Sequence, residues 1–278
     1  MTIDEIIEQA LAEDIGSGDV TTLATIPGEA TGKANLLVKE EGILCGVEVA
    51  RMVFAKVDPT LDVTIYISDG TPIKKGDLVF EVSGKAASIL QAERLVLNFM
   101  QRMSGIATAT KKVVSRLDGL KTRILDTRKT TPLLRELEKY AVRTGGGHNH
   151  RFGLYDMVMI KDNHVDYAGG IVAAIRRVHD YFEKTGKVLK IEVEVRNFTE
   201  LQEVIGDGGV DRIMLDNFPV ADIRRAVELI AGRFETEASG GITINNVREY
   251  AETGVDFISM GALTHHILSL DLSLKASR

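Results

Sequence analysis

From residue 106 onward, short apolar runs typical of β-strands alternate with stretches of helical periodicity, and this alternation restricts the fold more than any other feature of the chain. The predicted strands are 123–125, 157–160, 190–195, 212–215, 235–238 and 256–260. The predicted helices are 132–142, 170–183, 199–205, 220–230 and 244–252. Such alternation indicates a parallel sheet, and six units favour a barrel over a small doubly wound sheet. Because a complete barrel has eight units, we predict a barrel-like, incomplete TIM-type domain and leave its closure open.

The first hundred residues have a different pattern, which predicts a mixed α+β domain. Strands are predicted at 36–38, 61–67 and 78–82, and helices at 3–11 and 86–103. The second helix is apolar on most sides but has one polar stripe, formed by Gln91, Arg94, Asn98 and Gln101. We therefore expect an α/β chain with an N-terminal α+β sandwich domain at 1–105, a barrel-like domain at 106–265 and a tail at 266–278.

The charge balance narrows the range of partners. The chain has 34 Lys and Arg against 40 Asp and Glu, a formal net charge of −6, and 44% hydrophobic residues. This composition predicts a folded protein and argues against a general binder of nucleic acid or anionic membranes. A lone cysteine, Cys45, an acidic start unlike a signal peptide, and apolar runs too short to span a membrane all favour a cytoplasmic protein.

One segment departs from the acidic average. Residues 121–161 contain nine Lys or Arg and four Asp or Glu, and several of the cations follow predicted strands. Since the loops after the strands build the active site of an α/β barrel, we predict an anion site there. The residues assigned to it are Arg128, Lys129, Arg151 and Lys161, with His148 and His150 nearby. Arg135 and Lys139 are instead assigned to a solvated helix face.

Glycines after the last two predicted strands indicate phosphate binding. Ser239-Gly240-Gly241 and Gly261-Ala262 each lie between a strand and a helix, where backbone N–H groups can approach an anion. Neither is a Walker loop, and no G-x-G-x-x-G follows a strand, so ATP and dinucleotide folds lose support. The cations are too many for one phosphate, and arginine forks suit a dicarboxylate as well as a polyphosphate.

Carboxylates follow two neighbouring predicted strands. Glu194 and Asp216, beside a phosphate-rich ligand, would hold Mg²⁺ or hydrogen-bond sugar hydroxyls. Glu192 lies two positions before Glu194, so both side chains point to the same side of the strand, and one or both should line the barrel interior. Two alternatives stay open: Asp216 as a helix cap, and Lys161 as a Schiff-base lysine. A metal on His148 and His150 is disfavoured because the surrounding cations would repel it.

A series of motifs then follows in order along the chain. They are Asp126-Thr127-Arg128-Lys129-Thr130, the run Tyr-Ala-Val-Arg-Thr-Gly-Gly-Gly at 140–147, Asn149-His150-Arg151, Ile160-Lys161-Asp162-Asn163-His164, Glu192-Val193-Glu194-Val195, Leu215-Asp216-Asn217, Ser239-Gly240-Gly241 and Gly261-Ala262-Leu263-Thr264-His265, preceded by Glu13-Asp14 and Gly18-Asp19-Val20-Thr21-Thr22. Together these motifs closely resemble the quinolinate phosphoribosyltransferase family, the decarboxylating enzymes of NAD biosynthesis. The resemblance covers essentially the whole chain.

The resemblance implies a reaction and an assembly. Quinolinate and phosphoribosyl pyrophosphate would give nicotinate mononucleotide, pyrophosphate and carbon dioxide, with Mg²⁺ as the cofactor. It also implies a homodimer with a shared active site, or a hexamer built as a trimer of dimers. Arg94 would enter the neighbouring subunit's site, which would account for the polar stripe. The tail at 266–278 would return to the first domain.

The same resemblance assigns individual residues. Quinolinate would be bound by Arg94, Thr127, Arg128, His150, Arg151 and Lys161. The phosphoribosyl donor would be bound by Lys129, Glu194, Asp216, Ser239, Gly240, Gly241, Met260, Gly261, Ala262 and His265. The catalytic residues would be Lys129, Lys161, Glu194 and Asp216, with Glu194 and Asp216 as indirect ligands of Mg²⁺.

Three other functions remain as alternatives. The first is a related pyridine phosphoribosyltransferase that acts on another aromatic acid without decarboxylation. The second is a Schiff-base lyase centred on Lys161 in a phosphate-binding barrel, and the third is a non-catalytic sensor of phosphoribosyl compounds. Release of carbon dioxide separates the first from the main hypothesis, and trapping with borohydride tests the second.

Overall fold

A computed structural model describes residues 2–277. Its helices are α1 Ile3–Ile15, α2 Val20–Thr25, α3 Val47–Val57, α4 Ala86–Val114, α5 Arg135–Thr144, α6 Asp162–Ala168, α7 Ile171–Thr185, α8 Phe198–Asp207, α9 Val220–Ile230, α10 Val247–Ala251 and α11 Ala262–His265. Its strands are β1 Thr31–Val38, β2 Gly42–Ile43, β3 Asp62–Ile65, β4 Pro72–Ile73, β5 Leu78–Lys85, β6 Arg123–Leu125, β7 Val158–Ile160, β8 Ile191–Val195, β9 Arg212–Asp216, β10 Glu235–Ser239, β11 Phe257–Ser259 and β12 Leu272–Ser277. No helix within residues 2–277 is both long and apolar enough to cross a membrane.

The chain forms two compact units. The first comprises the residues up to 111 together with 130–146 and those from 263 onward, and the second comprises 112–129 and 147–262. The sequence-based boundary at residue 105 falls inside α4, which continues to Val114. Gly105 is needed for close packing in the first unit, since a Cβ there would lie 2.3 Å from the carbonyl oxygen of Leu268. A glycine that permits close approach does not have to end a helix.

The first unit is built on a four-stranded antiparallel sheet in the order β12-β1-β5-β3. The last strand of the chain is hydrogen-bonded to the first, with Leu36 opposite Leu274. Helix α3 covers this sheet, and the Phe54 ring meets the Phe80 ring edge to face at 5.8 Å between centroids. Both rings are buried, so they belong to the core of the predicted α+β domain.

The prediction that α5 carries a solvated basic face is wrong. Lys139 is only 2% exposed, and Glu138 beside it is 1% exposed. The Glu138 carboxylate accepts hydrogen bonds from the Arg102 Nε and Nη2 at 2.9 and 2.6 Å, and Arg135 is half-buried with its Nε 3.0 Å from the Thr130 hydroxyl. Three consecutive buried residues, starting at Leu137, mean that the helix is covered over most of its circumference.

The second unit is a parallel α/β domain, as predicted. Its six strands run in the order β6-β11-β10-β9-β8-β7, and every pairing is parallel. Beyond β6, the sheet is extended only by an isolated parallel bridge between Leu125 and His148. Because β6 and β7 are not paired with each other, the sheet is an incomplete barrel. Its carboxyl edge gathers the segments that follow all six strands.

Candidate active site

A cavity of about 520 Å³ lies at the carboxyl ends of the parallel strands in the second unit. Eleven of the residues assigned from the sequence line it: Thr127, Arg128, Lys129, His150, Arg151, Lys161, Glu194, Asp216, Ser239, Gly240 and Gly241. Met159, Met214, Asn217, Glu237 and Ser259 complete the wall. Residues far apart in the sequence meet here because most of them lie on or just after a strand of one sheet, and His150 and Arg151 follow the isolated bridge at His148. This is the edge where parallel sheets place their ligands.

Cations occupy the β6 and β7 side of the cavity. The turn after β6 is held by the Thr127 hydroxyl, which accepts the Lys129 backbone N–H at 3.0 Å. Partial burial, together with the neighbouring charge of Arg128, lowers the pKa of Arg151. The two guanidinium groups are close enough to repel each other, and an anionic ligand bound between them would relieve this repulsion.

The Lys161 ammonium is paired with a carboxylate. Its Nζ lies 2.5 Å from Oε2 of Glu194, which follows from the parallel pairing of β7 with β8. Glu194 is largely buried, whereas the Lys161 side chain is 43% exposed. The lysine is therefore held as a cation at the cavity wall by the carboxylate of the next strand.

A glycine turn forms the opposite side of the cavity. Gly240 and Gly241 follow β10 with φ values of +93° and +62°. A Cβ on Gly240 would lie 2.2 Å from the Oδ1 of Asn217, so only glycine fits against this side chain. Asn217 itself has a φ of +57° and donates its backbone N–H to the Ser239 carbonyl at 2.9 Å. The turn therefore leaves backbone groups open to a phosphate without an intervening side chain.

Asp216 faces the cavity and is not a helix cap. The helix α9 begins after Pro219, and no side chain caps it. The Asp216 carboxylate instead accepts a hydrogen bond from the Asn217 side-chain amide at 2.6 Å and lines the cavity with Glu194. The alternative of a capping role for Asp216 is wrong, and the carboxylate is available to the site.

The two carboxylates suit Mg²⁺. Mg²⁺ is usually bound by one or two protein carboxylates together with substrate phosphates and water. Glu194 and Asp216 supply two such groups from the neighbouring strands β8 and β9, on the wall that continues into the glycine turn. This donor set leaves the other coordination positions to a phosphorylated ligand.

A buried group of charges lies below the cavity. His150, Glu192 and Glu237 are 8%, 0% and 0% exposed, and the Nε2 of His150 is 3.0 Å from Glu192 and 3.4 Å from Glu237. As the strand alternation predicted, Glu192 and Glu194 both face the interior. Glu237 was missed, although the spacing Glu235-Thr236-Glu237 within a strand repeats the signal seen at Glu192 and Glu194.

The other residues assigned from the sequence lie outside the cavity wall. Arg94 is exposed on α4 of the first unit. His265 is exposed at the end of α11, with its ring against that of His266. Met260 is buried after β11, where its N–H donates to the Leu125 carbonyl, and Gly261 and Ala262 follow it. His148 is exposed while His150 is buried, so the two do not share a site.

Comparison with known proteins assigns both parts of the chain to one family. The model for the N-terminal domain of quinolinate phosphoribosyl transferase matches residues 19–104, and the model for its C-terminal domain matches residues 106–275. Together, these two models match more than half of the chain.

Relatives and solved structures agree with this assignment. The mitochondrial quinolinate phosphoribosyltransferase (decarboxylating) 2b of Nicotiana tabacum is 48% identical, over 98% of this chain and 82% of the relative. The probable nicotinate-nucleotide pyrophosphorylase (carboxylating) of Bacillus subtilis is 43% identical, over 99% and 93%. The crystal structure of NadC from Streptococcus pyogenes is similar with a TM-score of 0.94 at 41% identity, covering 99% of this chain and 96% of that chain. The chain therefore belongs to the quinolinate phosphoribosyltransferase family.

Proposed function

We propose that this chain transfers the phosphoribosyl group of phosphoribosyl pyrophosphate to quinolinate and releases carbon dioxide and pyrophosphate, with nicotinate mononucleotide as the product. One observation carries the proposal. A single cavity has a cationic wall at Arg128, Arg151 and Lys161 and a glycine turn on its other side, with two carboxylates between them. A ligand pair made of a small dicarboxylate and a sugar polyphosphate matches this division of charge.

The cationic wall binds quinolinate. Its two carboxylates need several charge-assisted bonds, and the guanidinium groups of Arg128 and Arg151 can each form a bidentate pair. Such bonds stabilise the charged carboxylate and the charged guanidinium. The free-energy cost of burying each of these groups is offset by the opposite charge of its partner. Thr127 and His150 line the same wall. A ligand with one carboxylate would leave part of this positive charge uncompensated.

The glycine turn and the carboxylates bind the phosphoribosyl donor. Ser239, Gly240 and Gly241 offer a hydroxyl and backbone N–H groups to the 5-phosphate, and Glu194 and Asp216 face the ribose and the pyrophosphate. We include Mg²⁺ in this part of the site, held through Glu194 and Asp216. When bound, the ion neutralises the charge on the departing pyrophosphate. Lys129, on the loop after β6, adds a further cation.

No protein nucleophile is needed for the transfer. As pyrophosphate leaves, the ribosyl carbon becomes oxocarbenium-like and is attacked by the pyridine nitrogen, so the site has to position the reactants and stabilise charge. The ribosylated nitrogen is positive and stabilises the electron pair left on the neighbouring ring carbon when its carboxylate leaves as carbon dioxide. That carbon then takes up a proton from solvent to give the product. Formation of a Schiff base on Lys161 would first have to break its ion pair with Glu194.

The assembly and location are also part of the proposal. We infer a homodimer in which Arg94 of one subunit reaches the cavity of the other, and a hexamer as the larger form. The exposure of Arg94 and Asn98 on the polar stripe of α4 supports this, since exposed side chains there can reach a second subunit. A cytoplasmic location stays a prediction, because the plant relatives are named mitochondrial or chloroplastic.

The experiment that tests the function follows the carboxyl carbon. Purified protein with Mg²⁺ and phosphoribosyl pyrophosphate should release labelled carbon dioxide from quinolinate labelled at the 2-carboxylate, with one nicotinate mononucleotide formed for each carbon dioxide. Nicotinate serves as the control acceptor because it lacks that carboxylate. Two results would favour the non-decarboxylating alternative. One is a nucleotide product formed from nicotinate as fast as from quinolinate, and the other is a nucleotide product formed from quinolinate without release of carbon dioxide.

A further inference from the structure

Beneath the cavity, three charged side chains that the proposed chemistry does not use, Arg212, Glu192 and Glu237, form a network with His150 of the cavity wall. Arg212 at the start of β9 donates from Nη1 to Glu237 at 2.9 Å, and the same nitrogen lies 4.0 Å from Glu192. Glu192 and Glu237 in turn face His150 at 3.0 and 3.4 Å. Both carboxylates are fully buried, and because a buried ion pair often adds little net stability, a role beyond stability has to be considered.

A metal site is the first explanation to consider. Donor atoms of His150, Glu192 and Glu237 lie within 4.8 Å of one another, which is close enough to share an ion. Arg212 already supplies a cation to the same carboxylates, however, and Lys161 and Arg151 add positive charge nearby in the cavity wall. With Arg212 and one proton, the charges of the two carboxylates are balanced. A divalent ion would add uncompensated positive charge, so we interpret the group as a network of paired protein charges.

The ring of His150 connects this network to the cavity. Its Nε2 and the oxygens of Glu192 are shielded from solvent, so this nitrogen faces the carboxylates and not a ligand. The other nitrogen, Nδ1, accepts the backbone N–H of Arg151 at 2.7 Å. The backbone N–H of His150 itself donates to the buried Asp126 at 2.8 Å. Both ring nitrogens of His150 are therefore directed to protein groups.

The position of the ring proton follows from these contacts. Burial lowers the pKa of His150, but the neighbouring Glu192 and Glu237 carboxylates outweigh this effect and raise the pKa to about 9, which favours a proton on Nε2, the nitrogen that faces them. The Arg151 N–H at 2.7 Å requires an unprotonated Nδ1. This distance describes a ring whose Nδ1 accepts a hydrogen bond and whose Nε2 carries a proton toward Glu192.

We propose that Glu192 and Glu237 are positioning residues, which fix the His150 ring from below and through its Nδ1 fix the main chain of Arg151 at the cationic wall. His150 thereby links the two buried carboxylates to Arg151. Outer groups of this kind orient the residues that touch a ligand, and their loss commonly costs an order of magnitude in binding or activity. The inference rests on the proposed function, because it assigns the Arg151 wall to quinolinate.

The test compares two substrates in one assay. Glu192→Gln keeps the size of the side chain but removes its charge, and it should raise the KM for quinolinate roughly tenfold while the KM for phosphoribosyl pyrophosphate stays within about twofold. Glu237→Gln should have the same selectivity and provides a second variant if the first folds poorly. The matched control is Glu235→Gln, on the same strand and also bonded to Arg212 at 3.0 Å, which should leave both KM values unchanged.

A second measurement separates positioning from general damage. In a His150→Asn background, Glu192→Gln should have little further effect on the KM for quinolinate, because the connection to Arg151 is already broken. Equal increases in both KM values, a change in kcat alone, or full additivity with His150→Asn would overturn the proposal. The wild-type enzyme is assayed first, so absence of carbon dioxide release there would count against the proposed function and not against this inference.

Discussion

Lys161 and Glu194 form an ion pair across the neighbouring parallel strands β7 and β8, with 2.5 Å between the ammonium nitrogen and the nearer carboxylate oxygen. The pair joins the cationic wall of the cavity to its acidic side. Because the Lys161 nitrogen is bonded to this carboxylate, an attack on a carbonyl would first have to break the ion pair. The same carboxylate is one of the two proposed to hold Mg²⁺, so Lys161 also limits how much negative charge faces the phosphates.

We therefore expect no covalent adduct at Lys161 during turnover. Borohydride added to active enzyme with both substrates should leave activity unchanged and the peptide that contains Lys161 unmodified by mass spectrometry. The exposed Lys187, which lies against Tyr181, provides an internal control for nonspecific labelling. A reduced adduct on Lys161 that depends on substrate would support the Schiff-base lyase instead.

Loss of either cavity arginine should weaken quinolinate use. Arg128→Ala and Arg151→Ala should each lower kcat/KM for quinolinate by at least about tenfold, since a charge-assisted hydrogen bond contributes about 1.5–3 kcal/mol and 1.4 kcal/mol is a factor of ten. Steady-state kinetics with saturating donor measures this. The control is Arg176→Ala, which removes an exposed ion pair with Asp207 and should leave kcat/KM unchanged. Unaltered kinetics in both cavity variants would refute their place in the site.

A methyl group at Gly240 should disturb donor binding. Gly240→Ala places a Cβ 2.2 Å from the Asn217 Oδ1, which forces the turn after β10 to move, and the KM for phosphoribosyl pyrophosphate should rise at least about tenfold. Gly232→Ala is the matched control, because Gly232 also has a positive φ of +73° but open space around it. Both variants should lose about 1–2 kcal/mol of stability from backbone strain. If both variants raised the KM for phosphoribosyl pyrophosphate equally, backbone strain would explain the increase and contact between the turn and the donor would not.

Asp256 should make the stability of the protein depend on acid pH. Despite burial, which raises it, the pKa of Asp256 is lowered by hydrogen bonds from the hydroxyl and backbone N–H of Thr236 and by Lys121. The lowered pKa means that its contribution to the free energy of unfolding is present above the ordinary value of 3.8 and is lost as the pH falls through the lower value of the folded state.

The measurement is urea unfolding of wild type and Asp256→Asn between pH 3 and 7. The variant should be less stable than wild type at pH 6, and the difference should shrink as the pH falls below about 4. Asp180→Asn, at an exposed position of α7, is the control and should follow the wild-type curve. A constant difference between Asp256→Asn and wild type at every pH would show that the ionised form of Asp256 contributes nothing specific.

Periodicity predicted the barrel strands well because their environment is simple. A strand buried on both faces gives a continuous apolar run, and β6 was predicted with its exact bounds, as was the amphipathic helix α9. Eleven assigned residues share one cavity because parallel strands bring their carboxyl ends to one edge of the sheet. The order of strands and helices along the chain is enough to predict this edge. These features depend on local pattern and on a general rule of topology.

Other features depend on packing that no local pattern encodes. Lys139 is predicted on a solvated face because its neighbours are charged, yet coverage of α5 buries it with Glu138. Arg212 lies at the start of a strand, where an arginine is usually exposed. Only the folded sheet shows that its side chain is buried and neutralises the charge of Glu237. Buried charges are paired across the sheet, so a prediction made one strand at a time misses them.

Subunit exchange should reveal whether Arg94 acts in a neighbouring subunit. Arg94→Ala and Lys161→Ala are each expected to be nearly inactive alone, because one removes the incoming guanidinium and the other a cation of the cavity wall. In a mixed dimer, one of the two sites would combine an intact Arg94 with an intact Lys161, so up to about a quarter of wild-type activity should return after equal mixing. Mixing Arg94→Ala with Arg128→Ala should behave in the same way. Mixing Lys161→Ala with Arg128→Ala should restore no activity, because both residues line the cavity of their own subunit and each cavity of the mixed dimer would therefore carry one substitution. Native mass spectrometry verifies that subunits have exchanged, and an inactive mixture with proven heterodimers would refute the role of Arg94 across the interface.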